Sequence, residues 1–333
     1  MDFMTPIQIP KLPEPISYGQ KLLLIGSCFT EHIGNALAEH KFDVLQNPHG
    51  ILFEPFSVHH SLIAYIENKK YKEEDLFFLN ELWNSWHHHS RFSDMNKEVV
   101  LQEVNNSVEQ AHEFLKNADW VIITLGSAFS YVLTEENPEK AKVGLHVANC
   151  HRAPGQWFFK KLLGIDEIIA AMDNAYHRLR AFNPKAKIIF TVSPVRHLRD
   201  GVIANNRSKA RLLEAVHHMV DKFPDIYYFP AYELVIDVLR DYRFYDIDMA
   251  HPNYPATEFV LEKFTTSCID EASLQIMKEV KQITIARKHR PMHPHTNAHK
   301  QFLKVHYERA QALAAKYTFL NLQDEIQYFS DAL

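Results

Sequence analysis

Five short apolar segments, each followed by a helical pattern, constrain the fold of this chain most strongly. They lie at residues 21–26, 42–46, 119–126, 186–194 and 225–231. Continuous apolar runs of this length are typical of strands that are buried on both faces of a parallel sheet. Their alternation with helices predicts an α/β three-layer sandwich around a five-stranded parallel sheet.

Apolar residues at helical spacing predict the helices that accompany these strands. A first helix is expected from Phe29 to His40, and further helices are expected at 57–67, 98–117, 165–182, 207–222 and 255–279.

Two segments depart from the alternation. Residues 75–95 are rich in Trp, Phe and His, and we expect an inserted hairpin or lid there. Residues 287–300 are basic and His-rich, and a helical pattern follows from Gln301. The sequence thus predicts a main domain over 1–280. Residues 281–333 are predicted to form a linker and a C-terminal helical extension, which is either an appendage of the domain or a partner-binding tail.

Ligands of parallel sheets bind beyond the carboxyl ends of the strands. The loops at these ends combine glycine, hydroxyl and basic residues. They are Gly-Ser-Cys at 26–28, Asn-Pro-His-Gly at 47–50, Gly-Ser-Ala-Phe at 126–129 and Ser-Pro-Val-Arg-His at 193–197.

Ser27 stands where the first strand ends and a helix begins. Its hydroxyl could cap the helix, or it could be a nucleophile at the positive end of that helix. A nucleophile requires a base and a group that orients the base. Asp248 precedes His251 by three residues. That spacing can place a carboxylate beside Nδ1 and leave Nε2 for a serine, although it also fits a polar turn.

Several motifs together resemble the GSCFA family. They are Gly-Ser-Cys-Phe-Thr at 26–30, NPHGILFEP at 47–55, TLGSAFSY at 124–131, VANCHRAP at 147–154 and SPVRH at 193–197. That family is similar to the SGNH/GDSL hydrolases, which are α/β proteins with a Ser-His-Asp triad. The resemblance implies that Ser27 is the nucleophile, His251 the base and Asp248 its orienting acid.

The resemblance also implies an oxyanion hole. Its donors would be the N–H of Ser27, the N–H of Gly50 and an asparagine after the third strand. Ala128 stands where that asparagine is expected. Asn149 or Ser127 must therefore supply the third donor, and Asn149 is the preferred candidate.

Other reactive side chains lie near the predicted site. Cys28 is the rival nucleophile, but we interpret it as a small buried apolar residue. Four residues are candidates for substrate binding: His89, His151, Arg196 and His197. The His87–His89 run could hold zinc, yet no matching carboxylate motif accompanies it. The implied mechanism requires no metal or cofactor.

Composition limits location and partners. A net charge of −5 gives no general attraction to nucleic acid or an anionic membrane. No apolar run approaches the length of a membrane helix, and the N-terminus lacks a signal-peptide pattern. Three cysteines do not form a disulfide framework. We expect a cytoplasmic protein, and its oligomeric state stays open.

The predicted function is serine-dependent hydrolysis of O-acyl esters, with an acylated carbohydrate as one substrate class. Two alternatives remain. An O-acyltransferase would use the same triad and differ only in water access. A noncatalytic member of the fold would hold a glycan or a protein in the same crevice.

Overall fold

The computed structural model of the chain describes residues 4–332, and within that range it contains ten β-strands and ten α-helices. The strands, in chain order, are β1 Lys21–Gly26, β2 Asp43–Gln46, β3 Leu76–Leu79, β4 Leu82–Ser85, β5 Trp120–Leu125, β6 Phe129–Leu133, β7 His146–Val147, β8 Phe158–Leu162, β9 Lys187–Val192 and β10 Ile226–Tyr228. The helices are α1 Cys28–Glu39, α2 Pro55–Glu67, α3 Lys97–Asn117, α4 Ile165–Phe182, α5 Gly201–Lys222, α6 Ala231–Glu233, α7 Tyr254–Cys268, α8 Glu271–Lys288, α9 Asn297–Lys316 and α10 Gln323–Asp331.

The main sheet has five strands in the order β10-β9-β5-β1-β2, and the pairs β1–β5, β5–β9 and β9–β10 are parallel. Every residue of β5 is buried. A strand that buries both faces belongs to a sheet that is covered on both sides. The predicted α/β fold with a five-stranded parallel sheet is therefore confirmed.

On one face of the sheet, β1, β5 and β9 pack with helices α2, α3, α4 and α5 in a single apolar core. Leu23 and Ile25 of β1 and Val121 and Ile123 of β5 belong to this core. Their spacing of two residues is the period at which a strand returns to the same face.

Two small antiparallel sheets accompany the main sheet. Strands β3 and β4 form a hairpin around Asn80-Glu81, whose φ angles are both positive, within the segment predicted as a hairpin or lid. Strands β7, β6 and β8 form a second sheet, which the sequence did not predict.

The single helix predicted over 255–279 is wrong, because the chain forms α7 and α8 there. The N–H of Asp270 donates to the carbonyl oxygen of Ile16. The Asp270 carboxylate accepts the N–H of Ser273 and caps α8. A capping aspartate in an extended conformation begins a new helix rather than continuing the previous one.

The described chain divides into two compact units. Within residues 4–332, the first contains 4–9, 21–32 and 45–260, and the second contains 10–20, 33–44 and 261–332. An apolar core in the second unit joins α8, α9 and α10. There the buried Glu325 pairs with Lys41 at 2.8 Å and with Arg287 at 2.7 Å. The C-terminal helices that were predicted are present.

Candidate active site

The turn between β1 and α1 permits only glycine at position 26. Gly26 has a φ of +146°, and a Cβ there would overlap the backbone of Thr124 on the neighbouring strand. This close approach lets the chain leave β1 and start α1 within one residue. Ser27 therefore lies at the carboxyl end of the sheet, between two central strands.

The Ser27 hydroxyl does not cap α1. The N–H of Thr30 donates to the Ser27 carbonyl oxygen at 2.9 Å. Only 1% of the Ser27 surface is exposed, and its Oγ has no hydrogen-bond partner among residues 4–332. A buried hydroxyl without a partner is costly and requires a functional or structural explanation. The structure therefore does not support the interpretation that the Ser27 hydroxyl serves as a helix cap.

Asp248 and His251 form a bonded pair. Nδ1 of His251 lies 2.6 Å from Oδ2 of Asp248, and both side chains are about half exposed. The other carboxylate oxygen accepts the N–H groups of His251 at 3.0 Å and Ala250 at 2.9 Å. The hydrogen bond from the His251 backbone is the largest cause that lowers the pKa of Asp248 to about 2. The ionised carboxylate holds Nδ1–H, which leaves Nε2 as the proton acceptor.

Arg196 supports the turn that presents this pair. Its N–H donates to the carbonyl oxygen of Ala250 at 3.1 Å. Its guanidinium stacks over the Tyr245 ring, 4.1 Å from the centroid, and approaches the carbonyl oxygen of Met249 at 3.5 Å. Met249 has a φ of +57°, an uncommon conformation for a residue with a side chain. Arg196 therefore contacts two backbone carbonyl groups of this strained turn.

A cavity of about 650 Å³ opens beside the pair. It is lined by Cys28, Phe53, Glu54, Ser127, Phe129, Tyr131, Val147, Ala148, Asn149, Cys150, Lys160, Val195, Arg196, His197, Leu198, Arg199, Asp200, Asp248, Ala250 and His251. The cavity thus combines residues from the ends of β1, β5 and β9, where a parallel sheet binds ligands.

Cys28 and His251 both line this cavity. Ser27, the residue that precedes Cys28 in the chain, is not among the lining residues. One turn further along α1, the pKa of His32 is lowered, chiefly by burial and to a smaller degree by the nearby His251. No hydrogen bond joins Ser27 Oγ to His251. The complete Ser27-His251-Asp248 triad therefore stays a prediction.

Two of the predicted oxyanion donors are engaged elsewhere. The N–H of Ser27 donates to Thr124 at 3.1 Å, and the N–H of Gly50 donates to Asn47 at 2.7 Å. Gly50 itself has a φ of +82°, and a Cβ there would collide with His89. The turn therefore requires glycine at position 50, independently of any role of its N–H as an oxyanion donor.

The two candidates for the third donor differ. The Ser127 N–H donates to Phe53 at 2.9 Å, and its hydroxyl accepts the Phe129 N–H at 3.0 Å. Oδ1 of Asn149 accepts the His151 N–H at 2.8 Å, so the amide Nδ2 is its donor end. Both residues line the cavity. The third donor therefore stays a prediction, with Asn149 preferred and Ser127 as the alternative.

The predicted substrate-binding residues separate into two groups. Arg196 and His197 line the cavity, whereas His89 and His151 do not. Nε2 of His151 lies 2.9 Å from the carbonyl oxygen of Ser85, and burial lowers the pKa of His151 to about 4. His197 bonds through Nε2 to the carbonyl oxygen of Gly126 at 3.0 Å, and burial lowers its pKa to about 4.

Cys28 is half-buried rather than fully buried, and it faces the cavity. Burial raises its pKa, and the negative charge of Glu31 adds to that effect. A nucleophilic cysteine requires a thiolate, so these surroundings disfavour the rival nucleophile.

Lys209 is a site residue that the sequence did not indicate. It is 1% exposed, and its Nζ donates to the carbonyl oxygens of Gly126 and Ser193, each at 2.6 Å. It thereby joins the loops that follow β5 and β9. Burial lowers its pKa from 10.5 to about 7. A lysine within a polar helical pattern gives no signal of burial, since most such lysines face water.

We expect Lys209 to make stability increase with pH. Between pH 7 and about 10 the unfolded chain keeps this proton and the folded chain loses it, so the free energy of unfolding rises with pH. The slope approaches about 1.4 kcal/mol per pH unit. Urea unfolding at pH 7, 8 and 9 should show that Lys209→Met loses this slope. The exposed Lys116→Met should retain it. Equal slopes in the wild type and Lys209→Met would show that the Lys209 pKa is not lowered.

A parallel sheet with a cavity at its carboxyl edge defines an α/β protein with an enzyme-like site. Residues 21–264 match the GSCFA family, and residues 280–333 match the C-terminal domain of GSCFA domain proteins. The first match covers well over half of the chain. The chain belongs to the GSCFA family, which confirms the resemblance seen in its motifs.

Among solved structures, the chain is similar to an acetyl xylan esterase (Est2A) from the rumen bacterium Butyrivibrio proteoclasticus. The identity is 12%, the TM-score is 0.37, and the alignment covers 76% of this chain and 65% of that chain. No curated protein matches the sequence. None of the helices in residues 4–332 has the length and apolar character needed to cross a membrane.

Proposed function

We propose that this protein is a serine-dependent hydrolase of O-acyl esters, with Ser27 as nucleophile, His251 as base and Asp248 as its orienting acid. The observation that supports this most directly is the His251–Asp248 bond of 2.6 Å at a cavity that also contains Cys28, the neighbour of Ser27. A carboxylate that fixes the imidazole tautomer is the feature that a general base requires.

The reaction proceeds in two balanced steps. Ser27 Oγ attacks the acyl carbon and gives its proton to Nε2 of His251. The ester C–O bond then breaks, and the imidazolium returns that proton to the leaving alcohol. Water repeats the sequence on the acyl-serine and releases a carboxylic acid. Ser27 Oγ must come within about 2.6–3.2 Å of Nε2 for the first proton transfer.

Two other functions use the same residues. An O-acyltransferase would replace water by an acceptor alcohol in the second step, and an acylated carbohydrate would suit either reaction. A noncatalytic binding protein is favoured by one observation, the engagement of the Ser27 and Gly50 N–H groups with Thr124 and Asn47. Labelling by a fluorophosphonate separates this alternative, because it requires an activated serine.

We expect Asn149→Ala to lower kcat about 10²–10³-fold, because an oxyanion donor acts on charge that develops only in the transition state. The measurement is steady-state turnover of an activated acyl ester, together with the melting temperature. Asn117→Ala, at the exposed end of α3, is the matched control. An unchanged kcat would remove Asn149 from the oxyanion hole and leave Ser127 as the next candidate.

A further inference from the structure

The walls of the cavity beside His251 contain large apolar side chains that are open to solvent. Phe53 is 38% exposed and Leu198 is 37% exposed, and both line the cavity. Phe129, Tyr131 and Val195 contribute further apolar surface. Exposed apolar side chains gathered in one concave site usually mark a binding surface for an apolar group.

Charged groups in the same cavity are already engaged within the protein. Lys160 pairs with Asp200, and its ammonium lies over the Phe129 ring, 4.5 Å from the centroid. Glu54 caps α2 by accepting the N–H groups of Phe56 at 2.8 Å and Ser57 at 2.6 Å. Lys160 and Glu54 therefore already have partners within the protein and do not require polar groups of a ligand.

Other polar groups of the lining are engaged in the same way. His197 bonds to the Gly126 carbonyl oxygen, and Arg196 stacks on Tyr245. The remaining polar residues are Asn149, proposed above as the oxyanion donor, Ser127, whose hydroxyl accepts the Phe129 N–H, and the exposed Arg199. Away from the reacting centre, the cavity therefore offers mainly apolar contact.

The size of the cavity also argues against a small acyl group. Its volume is about 650 Å³. One water molecule needs about 10–15 Å³ of a cavity on this measure. An acetyl group is only a few times larger than a water molecule, so it would leave most of this apolar surface uncovered.

We propose that this cavity binds the acyl chain of the substrate, and that the chain is an apolar one of about four to eight carbons. The inference rests on the proposed ester hydrolysis at Ser27 and specifies the acid part of the ester. Each methylene buried in the cavity is expected to raise kcat/KM about 4-fold, because its transfer from water is favourable.

The test is a series of p-nitrophenyl esters with acyl chains of two, four, six and eight carbons, each below its micellar concentration. We expect kcat/KM for the hexanoyl ester to exceed that for the acetyl ester at least about 50-fold. Leu198→Asn should lower this hexanoyl-to-acetyl ratio about 5-fold. Ile203→Asn is the matched control, because Ile203 is 81% exposed and lies outside the cavity. It should leave the ratio unchanged.

The outcomes separate the two proposals. Fluorophosphonate labelling with a flat chain-length profile, or with a preference for acetyl, would overturn the acyl-chain inference and leave the hydrolase proposal standing. A ratio that falls equally in Leu198→Asn and Ile203→Asn would also overturn it. Absence of both labelling and turnover would overturn the hydrolase proposal, and the acyl-chain inference would fall with it.

Discussion

Ser27→Ala is expected to abolish fluorophosphonate labelling and to lower ester turnover about 10⁴-fold or more, whereas Cys28→Ala leaves both in place. Successive side chains at the start of a helix point in different directions, so the two single substitutions test the two candidate nucleophiles separately. The Ser27 hydroxyl is buried and unpartnered among the described residues, while burial raises the pKa of the Cys28 thiol.

The experiment needs three variants and two readouts. Ser27→Ala, Cys28→Ala and the control Cys150→Ala, a second cysteine of the cavity, are treated with the probe and assayed with an activated ester. Loss of activity in Cys28→Ala with retention in Ser27→Ala would make this a cysteine-dependent enzyme. A wild-type protein that neither labels nor turns over would favour the binding protein.

Asp248→Asn is expected to lower kcat about 10⁴-fold while the turn stays folded. Asparagine keeps an oxygen for the N–H groups of Ala250 and His251, which Oδ1 now accepts. It places an NH₂ group opposite Nδ1, so the imidazole must present the wrong tautomer to Ser27. Asp246→Asn is the matched control, since Asp246 is an exposed carboxylate on the same loop.

His251→Ala should lower kcat as much as Ser27→Ala does, and the double variant should be no worse than either single one. Residues that act as one catalytic unit show this non-additivity. Turnover of a saturating activated ester measures all these variants. If Asp248→Asn retained activity within tenfold of the wild type, the carboxylate would have only a structural part in the turn. Additive losses in the double variant would show that Ser27 and His251 act separately.

The main sheet could be predicted because its strands are buried on both faces. The predicted strands 119–126 and 186–194 contain β5 and β9, and the structure shortens them by two and three residues respectively. The sheet of β6, β7 and β8 could not be predicted in the same way. Its strands carry polar and lysine residues, as in Phe158–Leu162, and β7 has only two residues. Their partners come from non-local pairing, which local patterns do not encode.

The same distinction applies to the site. The contact between Asp248 and His251 is local, and a three-residue spacing was enough to suggest it. The distance between Ser27 and His251 depends on how segments more than 200 residues apart pack together. Lys209 was missed because its burial arises from two carbonyl groups on distant loops. A sequence pattern shows where the lysine lies in the chain, but it does not predict which carbonyl groups accept its hydrogen bonds.

The second unit combines segments that are far apart in the sequence, and this determines when it can fold during synthesis. Tyr18 stacks on Phe42 at 4.1 Å, and Phe319 packs against Tyr18 at 5.5 Å. The two N-terminal segments of this unit leave the ribosome long before 261–333 is made. At about 5–20 residues per second, that delay is roughly 10–40 s. During this interval the early aromatic residues lack their final partners. The second unit can therefore close only after residues 261–332 have been made.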